Sequence, residues 1–155
     1  MAVYKKQLTP EQALQKLRHY CAYQERCHSE VKEKLYSLGV MDKEQDKIIA
    51  TLIEENYLDE ERFALAFAGG KFRMKQWGKV KIKYELKQKQ VSEYSINIAL
   101  KQIKQKDYLA VLKKLAEDKY ASLKKEQPFL RKKKTMDYLF QKGFEGELVR
   151  EVVSE

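Results

Sequence analysis

Residues 79–100, KVKIKYELKQKQVSEYSINIAL, contain the pattern that decides the fold. Ile82 and Leu86 are four residues apart, which is the spacing of an apolar stripe on one face of an α-helix. A polar turn around Gln90 follows, and Ser92 is a suitable N-cap for a second apolar helix. The segment therefore predicts two amphipathic helices joined by a short turn.

The same helix–turn–helix pattern occurs three times along the chain. When Leu35, Leu86 and Leu139 are aligned, the turns and the next helices align too, and only the first copy needs three extra residues, around residues 41–44. Chance similarity between amphipathic helices is the alternative, but two aligned helices in each of three copies favour a repeat. The other aligned positions are Gly39, Gln90 and Gly143 in the turn, Val40, Val91 and Phe144 after it, and Ile48, Ile96 and Val149 with Leu52, Leu100 and Val153 in the next helix.

Each copy extends to a unit of three helices. Thr9, Asp59 and Asp107 are the predicted N-caps of the helices that open the three units. With 6 Gly, 2 Pro and no alternating strand pattern, the sequence predicts an all-α protein. A unit of about 45 residues buries little surface alone, so neighbouring units are expected to stack. We predict three tandem three-helix repeats stacked into an elongated, curved array, with boundaries at residues 1–58, 59–106 and 107–155.

Charge is distributed unevenly between the units. The net charge is +9, but residues 1–68 carry 10 Lys and Arg against 12 Asp and Glu, whereas residues 69–155 carry 22 against 11. A solvated charged face is the ordinary explanation of a basic surface. An asymmetry of this size favours a polyanionic partner, which is a nucleic acid, a nucleoprotein or an acidic protein face.

A large part of the basic surplus lies in residues 70–91. Lys79, Lys83 and Lys87 are four residues apart, so they form one stripe beside the apolar stripe of the helix. Like charges at this spacing repel each other, and their repetition indicates that the stripe is offered to an anion. The basic residues of this stretch, which we predict to bind the polyanionic partner, are Lys71, Arg73, Lys75, Lys79, Lys81, Lys83, Lys87 and Lys89, against the single acidic residue Glu85.

A second basic cluster and three aromatic residues complete the candidate binding surface. The cluster consists of four consecutive cations, which point in all directions around a helix, so it indicates a binding face less clearly than the lysine stripe does. A solvated helix start is the alternative explanation of the cluster. Phe72, Trp77 and Tyr84 alternate with the cations of residues 70–91, where aromatic rings can stack on bases or on a protein. Aromatic residues at helical spacing more often belong to a core, so we expect Phe72 and Trp77 to be mostly buried. The second cluster consists of Arg131, Lys132, Lys133 and Lys134.

No catalytic or metal-binding motif occurs in the sequence. Gly69–Gly70 lacks the frame of a phosphate-binding glycine loop, and it indicates a helix break, a close helix crossing or a hinge between units. Cys21 and Cys27, with His19 and His28, match no common zinc spacing, so we expect the cysteines to be buried, reduced thiols. The prediction is a non-enzymatic protein that needs no cofactor and no metal.

The sequence also predicts where the protein acts. No apolar run is long enough to cross a bilayer, and residues 1–8 lack the apolar block of a secretory signal. We therefore expect a cytoplasmic protein without a membrane partner. Because no dimerisation element stands out, we expect a monomer.

Two stretches of the sequence resemble the RecX family of recombinase regulators. The resemblance covers residues 10–153, and it departs from the family at Trp77 and at Gln90 in the turn. It implies tandem three-helix repeats that bind in the groove of RecA filaments on single-stranded DNA and inhibit strand exchange, the linked ATPase and the coprotease activity. It assigns no catalytic residue. The similar stretches are Tyr57–Ala64, YLDEERFA, with Gly78, Ile82, Leu86 and Val91, and Ala13–Leu14 to Arg26 with Glu30–Val31, Leu35 and Gly39.

Three functions are compatible with basic three-helix units. The first is a regulator of recombination, DNA repair and the SOS response that binds RecA filaments, with single- and double-stranded DNA as weaker partners. The alternative is a direct nucleic-acid-binding protein with helix-turn-helix-like units, whose affinity should fall more steeply with salt than that of a filament binder. A transcription factor is the third, but the sequence offers no evident dimer element or short recognition face.

Overall fold

The computed structural model describes residues 8–154 as nine α-helices, with no strand in that range. Residues 1–7, most of the stretch predicted to lack a secretory signal, and residue 155 lie outside the described residues. None of the described helices is long and apolar enough to span a membrane. The helices are α1 (Pro10–Tyr23), α2 (His28–Ser37), α3 (Asp42–Glu54), α4 (Glu60–Gly70), α5 (Lys79–Gln88), α6 (Glu93–Lys101), α7 (Gln105–Ser122), α8 (Pro128–Lys142) and α9 (Gly146–Ser154).

The helix starts follow the predicted caps with one exception. Thr9 forms a capping box with Gln12, and Asp59 accepts a hydrogen bond from the backbone N–H of Arg62. The predicted cap Asp107 is wrong, because α7 begins two residues earlier and is preceded by Lys104 in extended conformation. Asp107 lies in the first turn instead, where a carboxylate also favours the helix dipole, so the sequence signal is the same for both positions.

The turn after the second helix of each unit has the same geometry in all three units. We call α1–α3, α4–α6 and α7–α9 the first, second and third units. Gly39, Gln90 and Gly143 adopt φ of +78°, +63° and +96°. Gln90 has a Cβ, so this left-handed conformation costs it about 1–2 kcal/mol. The next residue donates a hydrogen bond back to the aligned leucine in each unit, from Val40 to Leu35 (3.0 Å), Val91 to Leu86 (3.1 Å) and Phe144 to Leu139 (3.2 Å).

This hydrogen bond closes a Schellman motif, which ends the helix and directs the chain into the next one. Leu35, Leu86 and Leu139, the positions aligned in the repeat, are each fully buried. Chance similarity of amphipathic helices does not account for the same terminal turn in three places. The all-α repeat fold predicted from the sequence is therefore confirmed.

Helix α4 does not break at Gly69–Gly70. The helical path continues into a π-helical turn, Lys71–Lys75, which ends at Gln76 with φ +56°. A Cβ on Gly69 would lie 2.7 Å from Nη1 of Arg73, so the nearest neighbour is a side chain of the same helical segment rather than a crossing helix. The wider π turn changes the direction of the chain before α5 begins.

The buried side chains form two cores of unequal extent. The first lies within the first unit, whereas the second is shared by the second and third units and also contains Cys27. The first core consists of Ala13, Leu14, Leu17, Cys21, Val31, Leu35, Ile48, Leu52 and Leu58. The second contains Phe63, Ala64, Phe72, Ile82, Leu86, Ile96, Tyr108, Leu112, Leu139, Phe144 and Val149 among others. The second and third units therefore pack as one hydrophobic body.

Candidate functional site

The third unit supplies the hydrogen-bond acceptors for the start of α5. The backbone N–H of Gly78 donates to the Lys142 carbonyl (2.8 Å), and that of Val80 donates to the Gly143 carbonyl (2.9 Å). The two backbones touch, because a Cβ on Gly78 would lie only 2.3 Å from the Gly143 carbonyl carbon. This contact fixes the basic helix α5 against the turn between α8 and α9.

Tyr108 of α7 joins the same junction from inside the core. Its hydroxyl accepts a hydrogen bond from the backbone N–H of Lys79 (2.9 Å) and donates one to the carboxylate of Glu145. Burial and the neighbouring Glu145 carboxylate raise the pKa of Tyr108 far above its usual range, so the hydroxyl stays neutral and keeps donating. The N–H groups of Gly78, Lys79 and Val80 therefore all have acceptors in the third unit.

The predicted stripe of Lys79, Lys83 and Lys87 lies along one edge of α5, but its members have different surroundings. Lys79 is half-buried, with Nζ 4.8 Å from the centre of the Tyr108 ring. Lys83 Nζ lies 3.7 Å from the carboxylate of Glu93 on α6. Lys87 is exposed to solvent. The outer end of the stripe is thus the part most available to a partner.

A second group of cations gathers on the opposite edge of α5, around Trp77. Lys81 Nζ lies 4.5 Å from the centre of the indole ring, and Lys71 Nζ lies 5.0 Å from it. Phe67 packs edge-on against Trp77, with ring centroids 6.3 Å apart, and Lys89 Nζ lies 5.9 Å from the Phe67 ring. Contacts with the indole ring hold the ammonium groups of Lys71 and Lys81 in place without neutralising them.

The two aromatic residues expected in the core are both packed there, to different extents. Phe72 is buried and lies 5.7 Å from Tyr108 between ring centroids. Trp77 is half-buried at the edge of the shared core. Tyr84, the third aromatic residue of this stretch, is exposed. Trp77 and Tyr84 therefore reach the surface beside the lysines, whereas Phe72 packs in the core.

Lys142 belongs to this second group and was missed by the sequence analysis. Its Nζ donates a hydrogen bond to the Lys75 backbone carbonyl (2.6 Å). Burial and the nearby charges of Lys81 and Lys75 lower the pKa of Lys142. Lys142 is distant from residues 70–91 in sequence, and only the contact between Gly78 and Gly143 brings it there. The one available signal was its place directly before the turn glycine, the position that Lys89 occupies in the second unit.

The remaining predicted cations are dispersed. Arg73 is exposed, and its guanidinium lies over Gly69. In the second cluster, Arg131 donates from Nε to the Tyr120 carbonyl (2.7 Å) and stacks 3.7 Å above the Tyr120 ring, which ties α8 to α7. Lys134 pairs with Glu126 at 2.5 Å. Lys132 and Lys133 are exposed.

The cysteines and histidines do not form a metal site within residues 8–154, where no three potential ligands are grouped. Cys21 belongs to the core of the first unit, whereas Cys27 belongs to the shared core. Both thiols are buried, as expected, and burial raises the pKa of each. Neither thiol is therefore activated as a nucleophile.

Known proteins match both the sequence and the fold. The family model for the second three-helix domain of RecX matches residues 59–100, and the model for its third three-helix domain matches residues 105–153. A regulatory protein RecX of Prosthecochloris aestuarii is 31% identical over 143 residues, which are 92% of this chain and 92% of that protein. One of Leuconostoc mesenteroides is 29% identical over 124 residues, which are 80% of this chain but 46% of that longer protein.

A solved structure has the same architecture. The crystal structure of RecX from Lactobacillus salivarius superposes with a TM-score of 0.84 at 21% identity, covering 94% of each chain. Fold and matches together define a protein of tandem three-helix domains in which the second domain is strongly basic. The chain belongs to the RecX family of regulatory proteins.

Proposed function

We propose that this protein binds the filament that RecA recombinase forms on single-stranded DNA and lowers the activity of the recombinase. The proposal rests on membership of a family of regulatory proteins and on one observation, the concentration of half-buried and exposed cations along α5 and the segment before it. In this role the protein acts in the cytoplasm as a monomer during recombination, DNA repair and the SOS response. It regulates an enzyme and catalyses no reaction of its own.

The contact is made by the basic face of the second unit. Ile82 and Leu86 anchor α5 in the core, so the lysine stems lie along the helix while their ammonium groups reach outward. Lys83 and Lys87 form the outer end of the stripe. Lys87 is exposed, and Lys83 is half-buried beside Glu93 but still partly accessible to a partner. A filament presents DNA phosphates and protein side chains together, so a rigid basic helix can contact both at once.

Direct binding to naked nucleic acid is the second candidate, and the lysine group around Trp77 favours it. A protein that binds phosphates alone loses affinity with a log–log salt slope set by the number of contacts. A filament-binding protein keeps a contribution from its contacts with RecA. Preference for the filament over naked DNA therefore separates the two functions.

The direct test is the ATPase activity of RecA on single-stranded DNA, titrated with this protein. We expect the parent protein to lower the ATPase rate and Lys83→Glu with Lys87→Glu to require about tenfold more protein for the same effect, because each reversal replaces an attraction by a repulsion. Helix content should persist, since glutamate and lysine have similar helix propensity. Lys79 is left unchanged because its backbone and side chain both contact Tyr108.

The matched control reverses the same number of lysines on the first unit, at the exposed positions Lys16 and Lys43. This control should inhibit as the parent does. If the parent leaves the ATPase unchanged or stimulates it, the proposed inhibition is wrong. If both double variants behave alike, the contact lies outside the α5 stripe.

A further inference from the structure

Four lysines converge where the second and third units meet. Lys71 and Lys81 lie on the ring of Trp77, at 5.0 and 4.5 Å from its centre. Lys142, from the end of α8, is close enough to Lys81 and Lys75 for their charges to lower its pKa. These four side chains, Lys71, Lys75, Lys81 and Lys142, are called the junction lysines below.

The junction lysines lack carboxylate partners among residues 8–154, where every ion pair within 4 Å joins other residues. Elsewhere the protein does pair its lysines with acids, as for Lys89 with Glu30 and Lys134 with Glu126. The Lys142 ammonium group instead donates to a backbone carbonyl and is partly desolvated. An uncompensated cluster of like charges is unfavourable until an anion neutralises it.

The geometry holds the cluster together. Gly78 and Gly143 bring the two backbones into contact, and Gly143 lies against the Lys81 backbone and Cβ. Trp77 fixes two of the ammonium groups through its ring. The cations are therefore assembled before a ligand arrives, which reduces the entropy lost on binding.

We propose that the junction lysines form a binding site for the sugar–phosphate backbone of single-stranded nucleic acid, shared between the second and third units. This inference rests on the proposed function and identifies which surface of the protein contacts the DNA. It adds Lys142 as a binding residue and gives Trp77 the role of positioning Lys71 and Lys81.

The number of cations at the site favours a nucleic-acid strand over a single protein carboxylate. All four cations are lysines, which bind phosphate as compact charges with rotatable donors and impose no fixed orientation on it. A nucleic-acid strand carries a negative charge at every nucleotide, so it can neutralise several lysines in succession. Because lysines occupy the exposed surroundings of the Trp77 ring, the site contacts the backbone rather than stacking on bases. Binding should therefore be independent of sequence.

The test measures the affinity of this protein, with all three units present, for a short oligothymidylate over a range of salt concentrations, without RecA. We compare the parent with Lys81→Gln/Lys142→Gln and with a control of equal charge loss, Lys16→Gln/Lys43→Gln. The junction variant should bind about 10- to 100-fold more weakly at low salt, with a log–log slope shallower by about 1.4, because each contact on a single strand contributes about 0.7. An oligothymidylate with neutral methylphosphonate linkages should bind weakly to all three proteins.

Two further measurements keep the test decisive. Circular dichroism checks that the junction variant is folded, and Lys81→Arg/Lys142→Arg, which retains both charges, should recover most of the affinity. Equal affinities and slopes for the junction variant and the control would overturn the inference, as would undiminished binding of the neutral oligonucleotide. A loss of affinity for an acidic peptide but not for the oligothymidylate would assign the site to a protein partner and also overturn it.

The outcome is separable from that of the proposed function. If the parent inhibits the RecA ATPase but its affinity for oligothymidylate does not depend on the junction lysines, only the inference fails. If the junction lysines bind oligothymidylate but the parent has no effect on RecA, the inference stands and the proposed function fails.

Discussion

The two junctions between the units are built differently. The second and third units share a hydrophobic core and join backbone to backbone at Gly78 and Gly143. The first and second units have separate major cores, and several of their contacts are polar: Arg62 pairs with Glu25 at 2.6 Å, and Ser29 Oγ donates to the Lys89 carbonyl at 2.7 Å. A shared core couples two units in unfolding, whereas polar side-chain contacts couple them weakly.

This comparison suggests a division of roles. The second and third units form a rigid platform that carries the basic face, and the largely separate first unit is attached to it mainly by ion pairs, hydrogen bonds and the buried Cys27. The three units thus have nearly the same local structure, but the first unit is joined to the second more weakly than the second is joined to the third. The following predictions test that inequality, from the largest expected effect to the smallest.

The largest effect is expected from truncating the aligned leucines. Leu86→Ala should destabilise the platform by about 2–5 kcal/mol, as for other fully buried leucines. Leu35→Ala should cost a similar amount in the first unit but shift the platform by less than about 1 kcal/mol, because the cores are separate. Trp77, the single tryptophan, lies in the platform, so its fluorescence during urea unfolding measures platform stability alone.

Circular dichroism in the same titration follows all nine described helices. For Leu35→Ala we expect the dichroism to begin falling at lower urea than the Trp77 fluorescence. If both leucine variants shift the fluorescence transition equally, the three units unfold as one and the comparison between the junctions is wrong.

A smaller effect is expected from adding a methyl group at the close contact between Gly78 and Gly143. Gly78→Ala places a Cβ against the Gly143 backbone, which cannot move aside as a flexible side chain can, and should destabilise the platform by about 3 kcal/mol. Gly70→Ala is the matched control. It adds the same methyl group to a right-handed helical position with no atom within 4 Å, and should stabilise the protein by about 0.5–1 kcal/mol. Thermal unfolding measures both, and a neutral Gly78→Ala would contradict the close contact.

The smallest effect is expected at the polar junction. Glu25→Gln removes the charge that faces Arg62, and should cost about 1 kcal/mol because both side chains are about one-third exposed. The control is Asp118→Asn, which breaks the exposed pair with Lys114 and should cost less than Glu25→Gln does, because solvent screens that pair more strongly. Raised salt should shrink both effects. A cost for Glu25→Gln as large as that for Leu86→Ala would show that the first junction is as strong as the second.

The fold was predictable from sequence because its determinants are local. Short stretches of sequence determine both the buried leucine of each unit, at Leu35, Leu86 and Leu139, and the turn that follows it. Gln90 was also placed correctly in this turn, although the other two units have glycine there. The error at Asp107 has a local cause as well. A carboxylate suits both the cap and the first turn of a helix, so its presence does not fix the first residue.

The candidate site was less predictable because it depends on contacts between units. The stripe of Lys79, Lys83 and Lys87 follows from helical spacing, but the ion pair of Lys83 with Glu93 and the position of Lys142 do not. Both depend on which surfaces pack together, and sequence periodicity carries no information on that. Arg131 shows the reverse case, since a residue in a basic run is used to hold two helices together.

The most direct test of the proposed function compares the affinity of the parent protein for RecA–single-stranded-DNA filaments with its affinity for the same DNA without RecA, each at low and at physiological salt. We predict tighter binding to the filament at both salt concentrations, and a smaller loss of affinity for the filament as salt rises, because contacts with RecA persist when phosphate contacts are screened. Equal affinities for filament and naked DNA, with equal salt slopes, would contradict a filament regulator and identify the protein as a direct nucleic-acid binder.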